Sequence, residues 1–257
     1  MLLTIDVGNT QVALGMFDHK ELVGHWRIST NAQATFDEAR WQLVGILGAD
    51  GFTQSDVRGV AISSVVPAMT AALRRVAPHV SSGPVVVVEP GVRTGMSIEI
   101  DNPGEVGADR IVNALAARER YGAPVVVVDF GTSTNFDVVG PDGAYIGGAI
   151  APGLEISTNA LISGTAALRM VEFSAPRSVI GKGTVEAIQS GGIYGHAGLV
   201  DGIVERIAAE LDEPVTRVAT GGLASTIVPH CSSVETVDPY LTLEGLRIIF
   251  DRNQDTE

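Results

Sequence analysis

The alternation of apolar and polar positions opens with three short strands, at 1–6, 11–17 and 21–28, and Asp18-His19-Lys20 supplies the turn of the second hairpin. Thr35 stands three residues before Glu38, the spacing of a capping box, and Trp41, Leu43, Val44, Ile46 and Leu47 follow at near-helical intervals, so a helix is expected to about Leu47. Residues 60–66 read as a strand, Pro67 as the opening of a helix through Ala77, and 85–88 as a strand closed by Pro90. The order is β-β-β-α-β-α-β.

A loop at 91–104 leads to Asn102-Pro103-Gly104-Glu105, which reads as a helix start with a capping Asn, Pro at the first position and Glu at the third. Ile111, Val112, Leu115 and Ala116 form the apolar side of that helix, which is expected to end near Tyr121-Gly122. The opening pattern then returns. Strands are expected at 125–129, 134–139 and 144–151, with Gly140-Pro141-Asp142-Gly143 as a turn. Residues 153–171 read as mostly helical and 184–211 as a long helix interrupted by glycines. Residues 217–220 read as a strand meeting Gly221-Gly222, and 241–250 as an amphipathic closing helix.

Two strand ends carry the same short stretch. Asp6-Val7-Gly8-Asn9-Thr10 follows the first strand, and Asp129-Phe130-Gly131-Thr132-Ser133-Thr134 follows the strand at 125–129. Asp129 lies 123 residues after Asp6, and Gly131 lies 123 residues after Gly8, close to half of the 257-residue chain. An internal duplication explains that constant offset. The fold class is therefore α/β with two halves, 1–118 and 119–257. No low-complexity linker separates them, so they are expected to pack closely around a cleft.

Composition narrows the setting. With 45% hydrophobic residues and a mean hydropathy of +0.25 the chain is globular, and its apolar runs are broken well before the roughly 20 residues of a membrane-spanning helix. A strand-like N-terminus without a signal pattern and a single cysteine, Cys231, lead to the expectation of a cytoplasmic protein. The net charge of −13 argues against nucleic acid and anionic lipid as partners. It does not exclude a small anion, because a turn can concentrate backbone N–H dipoles locally.

A glycine turn with an adjacent Asp is the equipment for phosphate and hydrated Mg²⁺. The GxxxxGK[ST] loop is absent, and Asp6 to Thr10 lacks GxGxxG and runs into a strand, so the phosphate-binding element is a hairpin. One isolated Asp-x-Gly would be ordinary turn chemistry. Two copies at equivalent strand ends favour a nucleotide site. The five histidines show no second ligand at useful spacing, so a zinc site is not expected.

These features resemble the superfamily of actin, hexokinase and Hsp70-type ATPases, whose duplicated ribonuclease H-like domains hold ATP between two Asp-x-Gly hairpins. Asp6 to Thr10, Gly107-Ala108-Asp109-Arg110, Asp129 to Thr132, Gly147 to Gly153, Gly181-Lys182-Gly183-Thr184 and Thr220-Gly221-Gly222 together resemble the type III pantothenate kinases, in order along essentially the whole chain. That resemblance implies ATP-dependent phosphorylation of pantothenate in the first step of coenzyme A biosynthesis, by a homodimer that uses Mg²⁺ and K⁺ or NH₄⁺.

Carried over residue by residue, it implies that Asp6, Val7, Gly8, Asn9, Thr10, Gln11, Val12 and Ala13 form the first ATP-phosphate loop, with Asp6 near Mg²⁺. Asp109 would be the general base, Arg110 would bind the substrate carboxylate, and Gly107 and Ala108 would leave room for it. Asp129 would hold the monovalent cation, although from residue chemistry alone it suits Mg²⁺ equally. Thr132 and Gly131 would contact phosphate, Gly221 and Gly222 adenosine, and Thr184 pantothenate; a helix N-cap is an equally good physical reading of Thr184. Asn135 and Ile100 depart from the family pattern. The alternatives are a non-catalytic accessory relative and a sugar kinase of the same superfamily.

Overall fold

A computed structural model describes residues 1–165 and 168–254. They form two compact units, one of Met1–Gly95, Asn102–Ala116 and Thr242–Glu257, the other of Met96–Asp101 and Ala117–Leu241.

In the first unit, β1 (Leu2–Val7), β2 (Gln11–Asp18) and β3 (Glu21–Ser29) make an antiparallel meander, and β4 (Gly59–Ser64) and β5 (Val85–Val87) continue the sheet in parallel, in the order β3-β2-β1-β4-β5. The alternation of side chains decides which face meets which helix. Leu3, Ile5, Val7, Val60 and Ile62 join one core cluster with Leu43 and Leu47 of α1 (Phe36–Ala49) and Met69, Leu73 and Val76 of α2 (Pro67–Val80). The expected capping box of α1 is complete: the Glu38 amide donates to Thr35 Oγ1 (3.3 Å) and the Thr35 amide to Glu38 Oε2 (2.7 Å).

The opposite face carries Thr4, Asp6, Gly15, Gly59 and Ser63. It is covered by α7 (Leu241–Gln254), whose Leu243 lies against Gly15 and whose Phe250 lies against Gly59. The helix α3 (Ala108–Tyr121) in turn meets α7, with Val112 against Gly245 and Thr242 Oγ1 donating to Asn113 Oδ1 (2.7 Å).

The helix expected from Asn102 does not start there. Asn102 donates its side-chain amide to Glu105 Oε1 (2.6 Å) instead of capping, and Pro103–Glu105 forms a single 3-10 turn. Val106 is extended (φ −73°, ψ 126°), which ends that turn and delays α3 to Ala108.

The second unit repeats the design. β6 (Val125–Phe130), β7 (Ser133–Val139) and β8 (Tyr145–Pro152) form the meander, and β9 (Thr216–Thr220) and β10 (Thr236–Val237) run parallel to β6, in the order β10-β9-β6-β7-β8. Read from β8, that is the strand order of the first sheet. Val126, Val128, Phe130 and Phe136 pack on Ile193, Ala197, Val200 and Val204 of α5 (Thr184–Leu211) and on Ala224 and Ile227 of the short α6 (Ala224–Ile227).

The helix expected over 153–171 is shorter than its composition suggests. It is α4 (Leu154–Ser163), closed by Gly164, with the hydroxyls of Ser163 and Thr165 bonded back to the carbonyls of Asn159 and Leu161. Residues 168–171 are not helical, and Ala166 and Ala167 lie outside the described residues. Among the described residues no helix is long and apolar enough to cross a membrane.

Candidate active site

In the first unit, Asp6 lies half-buried one residue before the end of β1, Val7 and Val12 point into the core, and Gly8, Asn9, Thr10 and Gln11 carry the chain across the hairpin to Ala13, the ladder partner of Asp6. The Gly8 amide donates to the Gln11 carbonyl (2.9 Å) and closes the turn. Thr30 clamps it, donating from its hydroxyl to the Gly8 carbonyl (2.7 Å) and from its amide to the Thr10 carbonyl (2.9 Å). Both of these bonds occupy carbonyl oxygens, the backbone groups that a phosphate would repel. Thr30 was not legible as a site residue, because nothing in its neighbourhood along the chain marks it as the partner of a loop some 20 residues earlier.

The same edge of this unit receives Gly107-Ala108-Asp109-Arg110. Val65, which follows β4, donates its amide to the Val7 carbonyl (3.0 Å), and a Cβ on Gly107 would stand 3.8 Å from Val65 Cγ1 and 2.5 Å from Asp109 Oδ1. Asp6 and Asp109, 103 positions apart in the chain, are thus brought to one end of one sheet. The Arg110 amide donates to Asp109 Oδ1 (2.9 Å) at the first turn of α3. Burial raises the Asp109 pKa above its ordinary value, and the Arg110 amide and guanidinium only partly oppose that rise. A carboxylate of raised basicity at a helix start is suited to accept a proton.

In the second unit, Asp129 lies half-buried one residue before the end of β6, and Gly131 and Thr132 form the hairpin tip. The Gly131 amide donates to the Ser133 carbonyl (3.0 Å). This hairpin is one residue tighter than the first: Asp129 pairs with Asn135, whereas Asp6 pairs with Ala13. Asn135, one of the two departures from the family pattern, therefore stands directly opposite Asp129, and its Oδ1 accepts from the Ser133 hydroxyl (2.9 Å).

Gly221 lies against Asp129 and Phe130, Leu223 donates its amide to the Phe130 carbonyl (3.4 Å), and Gly222 is exposed beside them. This unit thus gathers Asp129, Gly131, Thr132, Gly221 and Gly222 at one end of its sheet. Thr184 lies elsewhere in the unit, on the rim of a mostly apolar groove of about 480 Å³ between α4 and α5, with Leu154, Thr158, Ala187 and Ile188. Its alternative reading as an N-cap is not realised, since Gly183 occupies the cap position and no side chain caps the helix.

His196 lines the same groove and is also bonded to the second hairpin: its Nε2 lies 2.8 Å from Thr134 Oγ1. The sequence showed His196 only as a histidine without a metal partner. Its contact with β7 depends on the packing of a helix some 60 residues downstream.

The residues present suit a magnesium nucleotide. Half-buried carboxylates near strand ends would supply hard oxygen ligands or hold metal-bound water, and the glycine turns beside them, where Asn9, Thr10 and Gly131 are exposed, would let phosphate approach the backbone. Two sheets of the same strand order, each with an Asp-x-Gly hairpin after its first strand, define a duplicated α/β fold of the actin and hexokinase type. Solved structures place the fold there. The chain superposes on a Campylobacter jejuni protein assigned to the Baf family of transcriptional activators with a TM-score of 0.60, at 18% identity over 99% of this chain and 100% of that one. It superposes on an Arthrobacter polyphosphate/ATP-glucomannokinase with a TM-score of 0.50, at 17% identity over 98% of each chain.

Sequence comparison is more specific. Residues 2–206 match the family model of type III pantothenate kinase, and the chain is 54% identical to the type III pantothenate kinase of Frankia casuarinae over 98% of this chain and 100% of that protein. The chain belongs to the type III pantothenate kinase family.

Proposed function

We propose that this protein transfers the γ-phosphoryl group of ATP to the primary hydroxyl of pantothenate, giving 4′-phosphopantothenate and ADP at the entry to coenzyme A biosynthesis. What supports the reading is that Asp6 and Asp109 lie at the same end of the first sheet, in a chain of this family. Asp109 accepts the proton of the substrate hydroxyl as its oxygen bonds to phosphorus and the bond to the ADP oxygen breaks. Arg110 holds the substrate carboxylate with its planar guanidinium.

Asp6 to Ala13 bind the ATP phosphates, and Asp6 orients the water shell of Mg²⁺. When bound, Mg²⁺ neutralises phosphate charge. Gly131 and Thr132 add phosphate contacts, Gly221 and Gly222 admit adenosine, Asp129 holds K⁺ or NH₄⁺, and Thr184 contacts pantothenate. The working protein is a cytoplasmic homodimer. Exposed Ile146 and Ile150 of β8 and Ile156 and Leu161 of α4 offer apolar surface that the second subunit would cover.

The test is purified protein with ATP and Mg²⁺, offered pantothenate or glucose, with and without K⁺, and followed by mass spectrometry of the product. Phosphopantothenate formed only with pantothenate and accelerated by K⁺ is expected. Turnover of the sugar alone, or of neither, overturns the proposal. Light scattering of the same sample tests the dimer.

A further inference from the structure

In both halves the Asp of the Asp-x-Gly hairpin has a hydroxyl residue as its in-register neighbour on the adjacent parallel strand. Ser63 of β4 lies beside Asp6, and Thr220 of β9 lies beside Asp129. In-register residues on neighbouring strands project to the same face from backbones about 4.8 Å apart. Ser63 is 0% exposed, and its Oγ has no hydrogen-bond partner among the described residues. Nearby hydroxyls do have partners: Thr4 donates to the Gly15 carbonyl (3.2 Å), and Ser64 donates to the Val66 carbonyl (3.1 Å). A buried hydroxyl without a partner lowers stability, and an apolar residue of similar size would remove that cost. Its recurrence beside the aspartate in both halves of a duplicated fold points to a role other than packing.

We propose that Ser63 is a positioning residue for Asp6. When the magnesium nucleotide binds, its hydroxyl turns to donate to the Asp6 carboxylate and holds it toward the hydrated Mg²⁺. A hydrogen bond to a carboxylate is charge-assisted and directional, so one donor from a rigid central strand restricts the carboxylate at little entropic cost. Strand alternation makes the choice of serine specific: Ser64, the next residue, projects to the other face. The proposal rests on the reading that Asp6 serves Mg²⁺, and the test separates the two.

Ser63→Ala, Ser63→Cys and Asp6→Asn are compared with the parent protein by calorimetric titration of ADP with and without Mg²⁺, by thermal unfolding, and by the kcat and KM for MgATP. Ser63→Ala is expected to unfold at the parent temperature or above it, yet to bind ADP about tenfold more weakly in the presence of Mg²⁺. Its KM for MgATP should rise with much less change in kcat, and Ser63→Cys, a weaker donor of similar size, should fall between the two. A fall in unfolding temperature with equal loss of binding with and without Mg²⁺ makes Ser63 structural and overturns the proposal. If Asp6→Asn loses Mg²⁺-dependent binding while Ser63→Ala keeps it, the Ser63 role alone fails. If Asp6→Asn also binds like the parent, the assignment of Mg²⁺ to Asp6 fails and the Ser63 role fails with it.

Discussion

Gly221 is pressed against Asp129. Its φ is +94°, and a Cβ there would lie 2.5 Å from Asp129 Oδ1 and 2.6 Å from both the amide nitrogen and the carbonyl oxygen of Phe130. Two of these three neighbours are backbone atoms that cannot swing aside. The left-handed conformation adds about 1–2 kcal/mol for any residue with a Cβ, and the overlap about 1–3 kcal/mol more. Gly221→Ala is therefore expected to lower the unfolding temperature and to displace Asp129, raising the K⁺ concentration for half-maximal activity. Differential scanning calorimetry and a K⁺ titration check it. An unchanged melting point and K⁺ response would show that the turn yields easily.

Asp109 gives a prediction in which activity and stability move apart. Its folded pKa is raised above the ordinary 3.8, so the group favours the folded state below that value, and this contribution is lost as pH rises through the folded pKa. At neutral pH the ionised carboxylate is a burden on the fold. Asp109→Asn should reduce kcat by about 10²–10⁴-fold while leaving the unfolding temperature unchanged or higher. A variant that keeps full activity would remove Asp109 from the general-base role.

The same shift sets an acid limb. Because the base must be ionised, kcat/KM for pantothenate should fall with decreasing pH around a midpoint above 3.8, displaced upward by the burial of Asp109. Initial rates at saturating MgATP across the acid range measure it. A limb at or below the ordinary carboxylate value would contradict the assignment.

His196 should make stability depend on pH in the opposite sense to Asp109. Burial lowers its pKa below the ordinary 6.5, so as pH falls below 6.5 the unfolded chain takes up a proton that the folded one resists. Stability from this group is complete above 6.5 and is lost as pH falls toward the lowered value. His196→Gln retains a donor and an acceptor for Thr134 but does not titrate. Its unfolding temperature should therefore drop less than the parent's between about pH 8 and pH 5.5. Equal drops would assign the acid sensitivity to other groups.

Thr184 separates a ligand contact from a helix cap. Since no side chain caps α5, Thr184→Ala removes no capping bond and should leave the unfolding temperature nearly unchanged. Loss of one substrate hydrogen bond should raise the KM for pantothenate about five- to tenfold with little effect on the KM for ATP. An unaltered KM would exclude Thr184 from the substrate site.

Most elements and their repetition are legible in the chain without its fold. Alternating apolar runs, the Thr35 and Glu38 cap, and the two Asp-x-Gly stretches are local signals, and local geometry obeys them. Local signals mislead where they have two outcomes. Asn102 has the right neighbours for a cap but spends its side chain on Glu105, and the apolar stretch after Gly153 stops being helical at Gly164. Which residues meet across long stretches of chain depends on packing. Thr30 clamps the first Asp-x-Gly hairpin, His196 bonds to the second, Ser63 stands beside Asp6, and Asp109 reaches the end of β1 past Val65. None of these pairings leaves a periodicity in the chain. Each follows from strand register or helix docking, which are set by the burial of whole faces and not by the residues that perform the chemistry.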